Sequence, residues 1–342
     1  MKSATASLLS CSATILALAA GSPALAQTWV LFSSFTPPTQ YMNARVFPAW
    51  IKDLEAATQG RVKIDVSPSS LAPPPGQLDL VLKGGADLAW QNSGVVPNRL
   101  AMNQMTQFPS PTASSEIMTR SIWRTHEKFF GPAGEYKGLK LVALIMFPAN
   151  YLFMVKEPLN SLDQIRQMKV LTNPGETAKA WGHLTSGVVA SPVVRYFDLV
   201  SKGSVDAYTS MPVAELISLN LWKHTKYVVD LKDAKNAATF ALVMNEAKWN
   251  SISRADQAAI EKVSGEAFAK YMKAVDEVND EVVKKVTADG LQFMTAPAAV
   301  IDGVKRAFAS SEADWIAEAK KRGVDGRAAL DFYRAQINAA VK

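Results

Sequence analysis

Residues able to do chemistry are few in this 342-residue chain, and their spacing suits little of it. The three histidines, His126, His183 and His224, fall at no H-E-x-x-H or other close metal-ligand spacing, so each reads as a helix residue rather than a ligand. Cys11 is the only cysteine. Beyond it the chain has no thiol for a disulfide, a thiolate nucleophile or a cysteine metal site. No G-x-S-x-G, P-loop or G-x-G-x-x-G occurs. Asp53 with Glu55, and Glu277 with Asp280 and Glu281, are carboxylate groupings, but they lie among lysines on helical patterns and read as solvated faces. The expectation is no enzyme, no metal and no cofactor.

The polar and aromatic residues that remain gather at the ends of strand-like stretches. They are Ser33-Ser34-Phe35-Thr36, Trp90-Gln91-Asn92, Phe147-Pro148-Ala149-Asn150, Thr172-Asn173, Tyr208-Thr209-Ser210 and Met244-Asn245. In α/β folds ligands bind at the carboxyl ends of strands, so this shared position suggests binding chemistry.

The elements that would position these groups repeat. LVLKGGADLAW (80–90) and LVSKGSVDAYT (199–209) match at Leu, Val, Lys, Gly and Asp. Each reads as a helix end, a glycine stop and a strand. Glycine just past a helix reaches the left-handed conformation that closes it. Two similar α/β lobes are the reading this supports. Residues 253–288 carry one glycine, Gly265, and no proline, with apolar residues mostly three or four apart. As one helix it would run about 50 Å, longer than a small lobe is wide, so it is expected to cross between lobes. Gly265 is the point where it would bend. Two further helical patterns, 299–321 and 328–340, lead to the C-terminus.

Residues 1–26 read as a secretory signal: Lys2, an apolar run too short to span a membrane, then the small-residue site Ala24-Leu25-Ala26. The expected localisation is the periplasm, with no covalent membrane anchor. The remaining chain of about 316 residues exceeds what one core usually serves. No later apolar run reaches membrane length. The net charge of +6 is spread over amphipathic helices rather than gathered in a basic stripe, which argues against a nucleic-acid partner.

The order of these features resembles the solute-binding proteins of TRAP transporters, the DctP-type family. LEAATQGRVKIDVSPSSL (54–71) resembles the family's helix ending in T-x-G-(R/K)-(V/I) and the strand after it. Pro158-Leu159-Asn160-Ser161-Leu162 with Met168-Lys169-Val170, residues 195–208 and the helix at 253–288 resemble later family segments. The resemblance implies an α/β two-lobed clamshell of the periplasmic-binding-protein kind, with a long helix crossing both lobes. It implies capture of a small organic solute, a small-molecule ligand passed unchanged to TRAP permease subunits. The lobes are expected at 27–148 with about 233–258, and at 149–232 with about 259–290; residues 291–342 are expected to pack on them as helices. An ABC-transporter receptor would share the clamshell without the crossing helix; a periplasmic enzyme is the rival of another class.

The departures from the family pattern bear on the ligand. The family's carboxylate-binding arginine matches Leu171, and a second arginine falls near Tyr151. The asparagine after V-D-G falls near Ser210, the acidic residue after the first lobe's strand at Asn92, and the glutamate of E-x-Y is Arg195. The charged clamp is dismantled, and burying an unpartnered carboxylate is costly. The ligand is therefore expected to be neutral, aromatic or an acid held in another way. The candidate contacts are Thr36, Trp90, Asn92, Asn150, Tyr151, Leu171, Asn173, Arg195, Tyr208, Ser210 and Asn245.

Overall fold

A computed structural model describes residues 27–341. The signal-like segment, Cys11 and the expected processing site after Ala26 fall outside the described residues. Among those described, eleven strands follow in chain order: β1 (Thr28–Ser33), β2 (Val62–Val66), β3 (Leu88–Asn92), β4 (Leu139–Met146), β5 (Leu152–Met154), β6 (Lys169–Thr172), β7 (Gly187–Ala190), β8 (Ala207–Tyr208), β9 (Tyr227–Asp230), β10 (Thr239–Asn245) and β11 (Gln292–Thr295). They form two sheets, ordered β2-β1-β3-β10-β4 and β11-β9-β5-β8-β6-β7. Strand β10 and the edge strand β4 beside it are buried almost throughout, as their near-continuous apolar sequences require.

The repeated phrase builds the same device once in each sheet. In the first, helix Gln77–Leu82 ends at Gly84 (φ +72°); in the second, helix Tyr196–Val200 ends at Gly203 (φ +66°). Gly85 N–H donates to Leu80 O at 2.9 Å, and Ser204 N–H to Leu199 O at 3.1 Å, closing each helix in the same way. The two aspartates then lock the strand that follows. Asp87 N–H donates to Leu31 O at 3.0 Å, and its Oδ2 accepts Leu31 N–H at 2.8 Å. Asp206 makes the same pair with Lys169, at 2.9 and 2.8 Å. Each carboxylate takes up an N–H that the parallel ladder leaves open where the strand begins.

The helix expected at 253–288 crosses between the sheets, but in three pieces. Arg254–Glu261 is α-helical, Gly265–Met272 is 3₁₀ and Lys273–Ala288 is α-helical again. Ser253 caps the first piece, its Oγ accepting Asp256 N–H at 3.1 Å, as the capping-box pattern predicts. Gly265 takes φ +58°, and a Cβ there would stand 2.7 Å from the Trp123 ring. The expectation of one continuous helix is thus corrected: the indole packs where a straight helix would put a side chain. The crossing survives the break. Phe268 and Met272 are buried beside the first lobe, Asn279 Oδ1 accepts Ala214 N–H at 3.1 Å from the second, and the chain runs on into β11.

The region after 291 likewise begins with a strand, β11, paired parallel to β9, rather than with helices alone. Helices Ala298–Lys321 and Gly326–Ala340 follow. Trp315 Nε1–H donates to Ala101 O at 2.7 Å in the first lobe, and Gly303 lies against Leu162 in the second. Among the described residues no helix is long and apolar enough to cross a membrane.

Candidate functional site

The strand ends converge on a narrow cleft between the sheets. One wall is aromatic. Phe35, just past β1, stacks on Trp90 of β3 with ring centroids 4.3 Å apart and planes 20° off parallel. Phe240 of β10 lies 4.9 Å from Trp90 and 4.5 Å from Phe147, which follows β4. Trp90 is 1% exposed, and its Nε1–H donates to Ser34 Oγ at 2.8 Å. The indole N–H is satisfied, and the rings of Phe35 and Phe240 cover much of its surface. Phe35, Phe147 and Phe240 share the wall with it, and they are the aromatic contacts sequence reasoning did not select. Their signal was present for Phe35 and Phe147, which stand in the strand-end groups.

Beyond this wall the cleft deepens into a pit lined by amides and hydroxyls, among them Asn92, Asn103, Gln107, Asn150, Asn173 and Ser210. Both lobes contribute. Asn173 Nδ2–H donates to Asn92 Oδ1 at 3.3 Å, and Asn173 N–H donates to Ser210 Oγ at 3.3 Å. Ser210 takes φ +71°, unusual for a residue with a side chain. Its hydroxyl pairs with Thr172 Oγ1 at 2.8 Å. Gln107 Oε1 accepts both the N–H and the O–H of Thr177 at 3.0 Å. The amide oxygens of Asn103, Asn150 and Asn173 are buried with no partner among the described residues. An amide can present either its oxygen or its NH₂, so these three residues offer a neutral hydrogen-bonding surface to a ligand.

The candidate contacts thus divide. Thr36, Trp90, Asn92 and Ser210 line the cleft; Asn150 and Asn173 line the pit with Asn92 and Ser210. The other five do not line either. Leu171 is fully buried in the middle of β6, between Tyr208 and Val189 in register. Tyr208 is stacked on Phe153 at 4.9 Å with its hydroxyl on Thr225, so both the ring and its polar tip are committed to the core. Tyr151 packs under Lys235, whose Nζ lies 4.8 Å from the ring centroid. The Arg195 side chain is 68% exposed and pairs with Asp198 at 3.2 Å, pointing to solvent while Pro192, Val193 and Val194 line the cleft. Asn245 caps helix Glu246–Ser251, its Oδ1 accepting Lys248 N–H at 3.0 Å, and donates to Val81 O at 2.8 Å.

Glu215 is the residue the sequence did not single out. It lies in the short helix Glu215–Ser218, is 6% exposed and lines the cleft. Its Oε1 accepts from Tyr41 O–H at 2.5 Å and from Gln40 Nε2–H at 3.1 Å, both in the first lobe. Its Oε2 accepts from Ser218 O–H at 2.5 Å. Burial raises its pKa, and the hydrogen bonds from Ser218, Tyr41 and Gln40 partly oppose that. Among the described residues no lysine or arginine lines the cleft, and none pairs with Glu215. Nor does any group of three His, Cys, Asp or Glu residues among them stand close enough to hold a metal ion.

Two sheets flanking such a cleft, with a segment crossing between them, have the architecture of a solute receptor. Residues 32–318 match the family model described as bacterial extracellular solute-binding protein, family 7, and the chain belongs to that family, the DctP type of TRAP solute-binding proteins. A curated relative from Comamonas testosteroni, named outer membrane transporter protein TsaT, is 34% identical over 310 residues, covering 91% of this chain and 92% of the relative. Among solved structures, a TRAP periplasmic solute-binding protein from Bordetella bronchiseptica with bound (R)- and (S)-mandelate matches with a TM-score of 0.86 at 24% identity, over 91% of this chain and 99% of the other. A marine metagenome TRAP protein specific for aromatic acid ligands, in complex with metahydroxyphenylacetate, gives 0.83 at 23% identity over 92% and 100%. One from Rhodoferax ferrireducens with copurified benzoate gives 0.82 at 20% over 91% and 98%.

Proposed function

We propose that this receptor captures a single-ring aromatic solute, with the ring against Phe35, Phe147 and Phe240 and a small polar group in the amide pit, and passes it unchanged to TRAP permease subunits. The observation that carries this reading is an aromatic wall opening directly onto a pit of neutral amides, with no lysine or arginine lining either among the described residues. A polar group there meets Asn92, Asn173 and Ser210, so an acid would rest on neutral donors rather than on a guanidinium. The aromatic acids bound by the structural relatives support the ring. The working units in this reading are the lobes 27–148 with about 233–258 and 149–232 with about 259–290, with 291–342 packed upon them, in a protein exported and cleaved after Ala26.

A thermal-shift panel tests it, because a solute that binds only the folded state raises its apparent stability. Benzoate, mandelate and benzamide are set against succinate and a sugar acid. One or more ring compounds are expected to raise the melting temperature by several degrees, at concentrations where the aliphatic acids do nothing. Stabilisation by succinate or the sugar acid alone would discard the aromatic reading. A chemically changed ring compound recovered after incubation would point to an enzyme.

A further inference from the structure

The amide pit accounts for one end of an aromatic solute; Glu215 does not line that pit, yet it lines the cleft. A carboxylate offers about four acceptor positions. Three are filled from within the protein: Tyr41 and Gln40 on Oε1, and Ser218 on Oε2. The fourth, on Oε2, has no partner among the described residues. All three neighbours are able to donate, so the surroundings are arranged around an acceptor. Among the described residues no cation pairs with it, and a buried carboxylate is costly until its remaining position is satisfied. The geometry also ties the two lobes together here, since Tyr41 and Gln40 come from the segment after β1 and Glu215 from the segment after β8.

We propose that Glu215 is a specificity-determining residue that accepts a hydrogen bond from the ligand, so that the preferred solute is an aromatic compound bearing a hydroxyl or amino donor on the ring end away from the amide pit. The donor would fill the open position on Oε2 as the lobes close. A methyl ether at the same ring position has no hydrogen to give and would set oxygen against oxygen.

This rests on the aromatic reading above, and the test separates the two. Affinities of the full receptor are measured by calorimetry for benzoate, 3- and 4-hydroxybenzoate, 3- and 4-aminobenzoate and 3- and 4-methoxybenzoate, in the natural protein and in Glu215→Gln. In the natural protein one hydroxy or amino compound is expected to bind about tenfold or more tightly than its methoxy counterpart, the scale of a hydrogen bond to a charged group. The better of the two donors identifies which kind the site takes. In Glu215→Gln the amide NH₂ would face the ligand, and the preference is expected to fall to near unity or invert. Binding of the ring compounds without preference in the natural protein overturns this proposal and leaves the aromatic reading standing. A preference retained in Glu215→Gln overturns it in the same way. If none of the ring compounds binds, the aromatic reading fails and this proposal with it. The comparison within the natural protein needs no variant, so a Glu215→Gln protein that failed to fold would still leave a decision.

Discussion

Phe35 lies flat on Trp90 and is only partly buried, so its ring forms the exposed surface of the aromatic stack. Arg195, by contrast, spends its charge on Asp198 in solvent. This ranks two substitutions. Phe35→Ala is expected to weaken binding of a ring compound at least roughly tenfold, from lost contact area plus a stacking contribution of about 0.5–1.5 kcal/mol. Arg195→Ala is expected to change the same affinity by less than about threefold, in keeping with the small worth of an exposed ion pair. Calorimetry on both variants checks it. Abolished binding in Arg195→Ala with little change in Phe35→Ala would mean that a relocated arginine holds an acid. Trp90 is a poorer probe: at 1% exposure its removal leaves a cavity, and a core tryptophan costs about 3–5 kcal/mol of stability.

Two elements store consequences that local sequence rules do not capture. The crossing segment turns at Gly265 because a left-handed residue there lets Trp123 pack against bare backbone. Gly265→Ala would add a Cβ 2.7 Å from that ring at φ +58°, where side chains are disfavoured. A loss of about 2 kcal/mol or more is expected, larger than an ordinary surface change, read as a lower denaturant midpoint. An unchanged midpoint would show that the turn relaxes freely. The second element is the π-turn His126–Phe130 that ends helix Ser115–Thr125. Burial lowers the His126 pKa from 6.5 to about 4, among the rings of Trp123, Phe130 and Tyr136. The unfolded chain therefore takes up a proton near pH 6.5 that the folded chain refuses until about pH 4. The contribution is present above pH 6.5 and is lost on acidification through that window, by roughly 3 kcal/mol at most. Melting curves between pH 7 and 4 should decline less steeply for His126→Phe than for the natural protein. Parallel declines would show that the imidazole titrates normally.

At the scale of the whole molecule, the lobes meet through hydrogen bonds between side chains far apart in the chain. Tyr41 and Gln40 reach Glu215, Asn92 reaches Asn173, and Gln107 reaches Thr177. These are neutral contacts or contacts to a single carboxylate, each worth about 1 kcal/mol or a little more net. Bonds on this scale can be exchanged for bonds to a ligand that reaches both sides. Small-angle scattering should accordingly give a smaller radius of gyration on saturation with a stabilising ring compound. An unchanged radius at saturation would describe a rigid cavity rather than a closing cleft.

The sequence by itself determined the elements whose causes are local. Helix–Gly–Asp–strand junctions and the Ser253 cap depend on neighbours within a turn or two, and they stand where the spacing predicts; the apolar run at 260–286 is helical as well, but Trp123 breaks it at Gly265. The twin aspartates went further, since the same phrase built the same lock in both sheets. Leu171 stands within β6, where the strand pattern placed residues 169–172. Two short strands, β7 and β11, left no legible alternation, being four residues each and mostly exposed or half-buried at sheet edges. The site itself was legible only as a set of strand ends. Which of them share a cleft was decided by pairing between segments some 80 to 170 residues apart. That pairing turned Tyr208 and Asn245 inward to structural bonds, sent Arg195 to solvent and brought Glu215 beside Tyr41. A side chain's direction at a strand end is set by the register and tilt of its neighbours across the sheet, and by what packs above it. No spacing along a single chain encodes either.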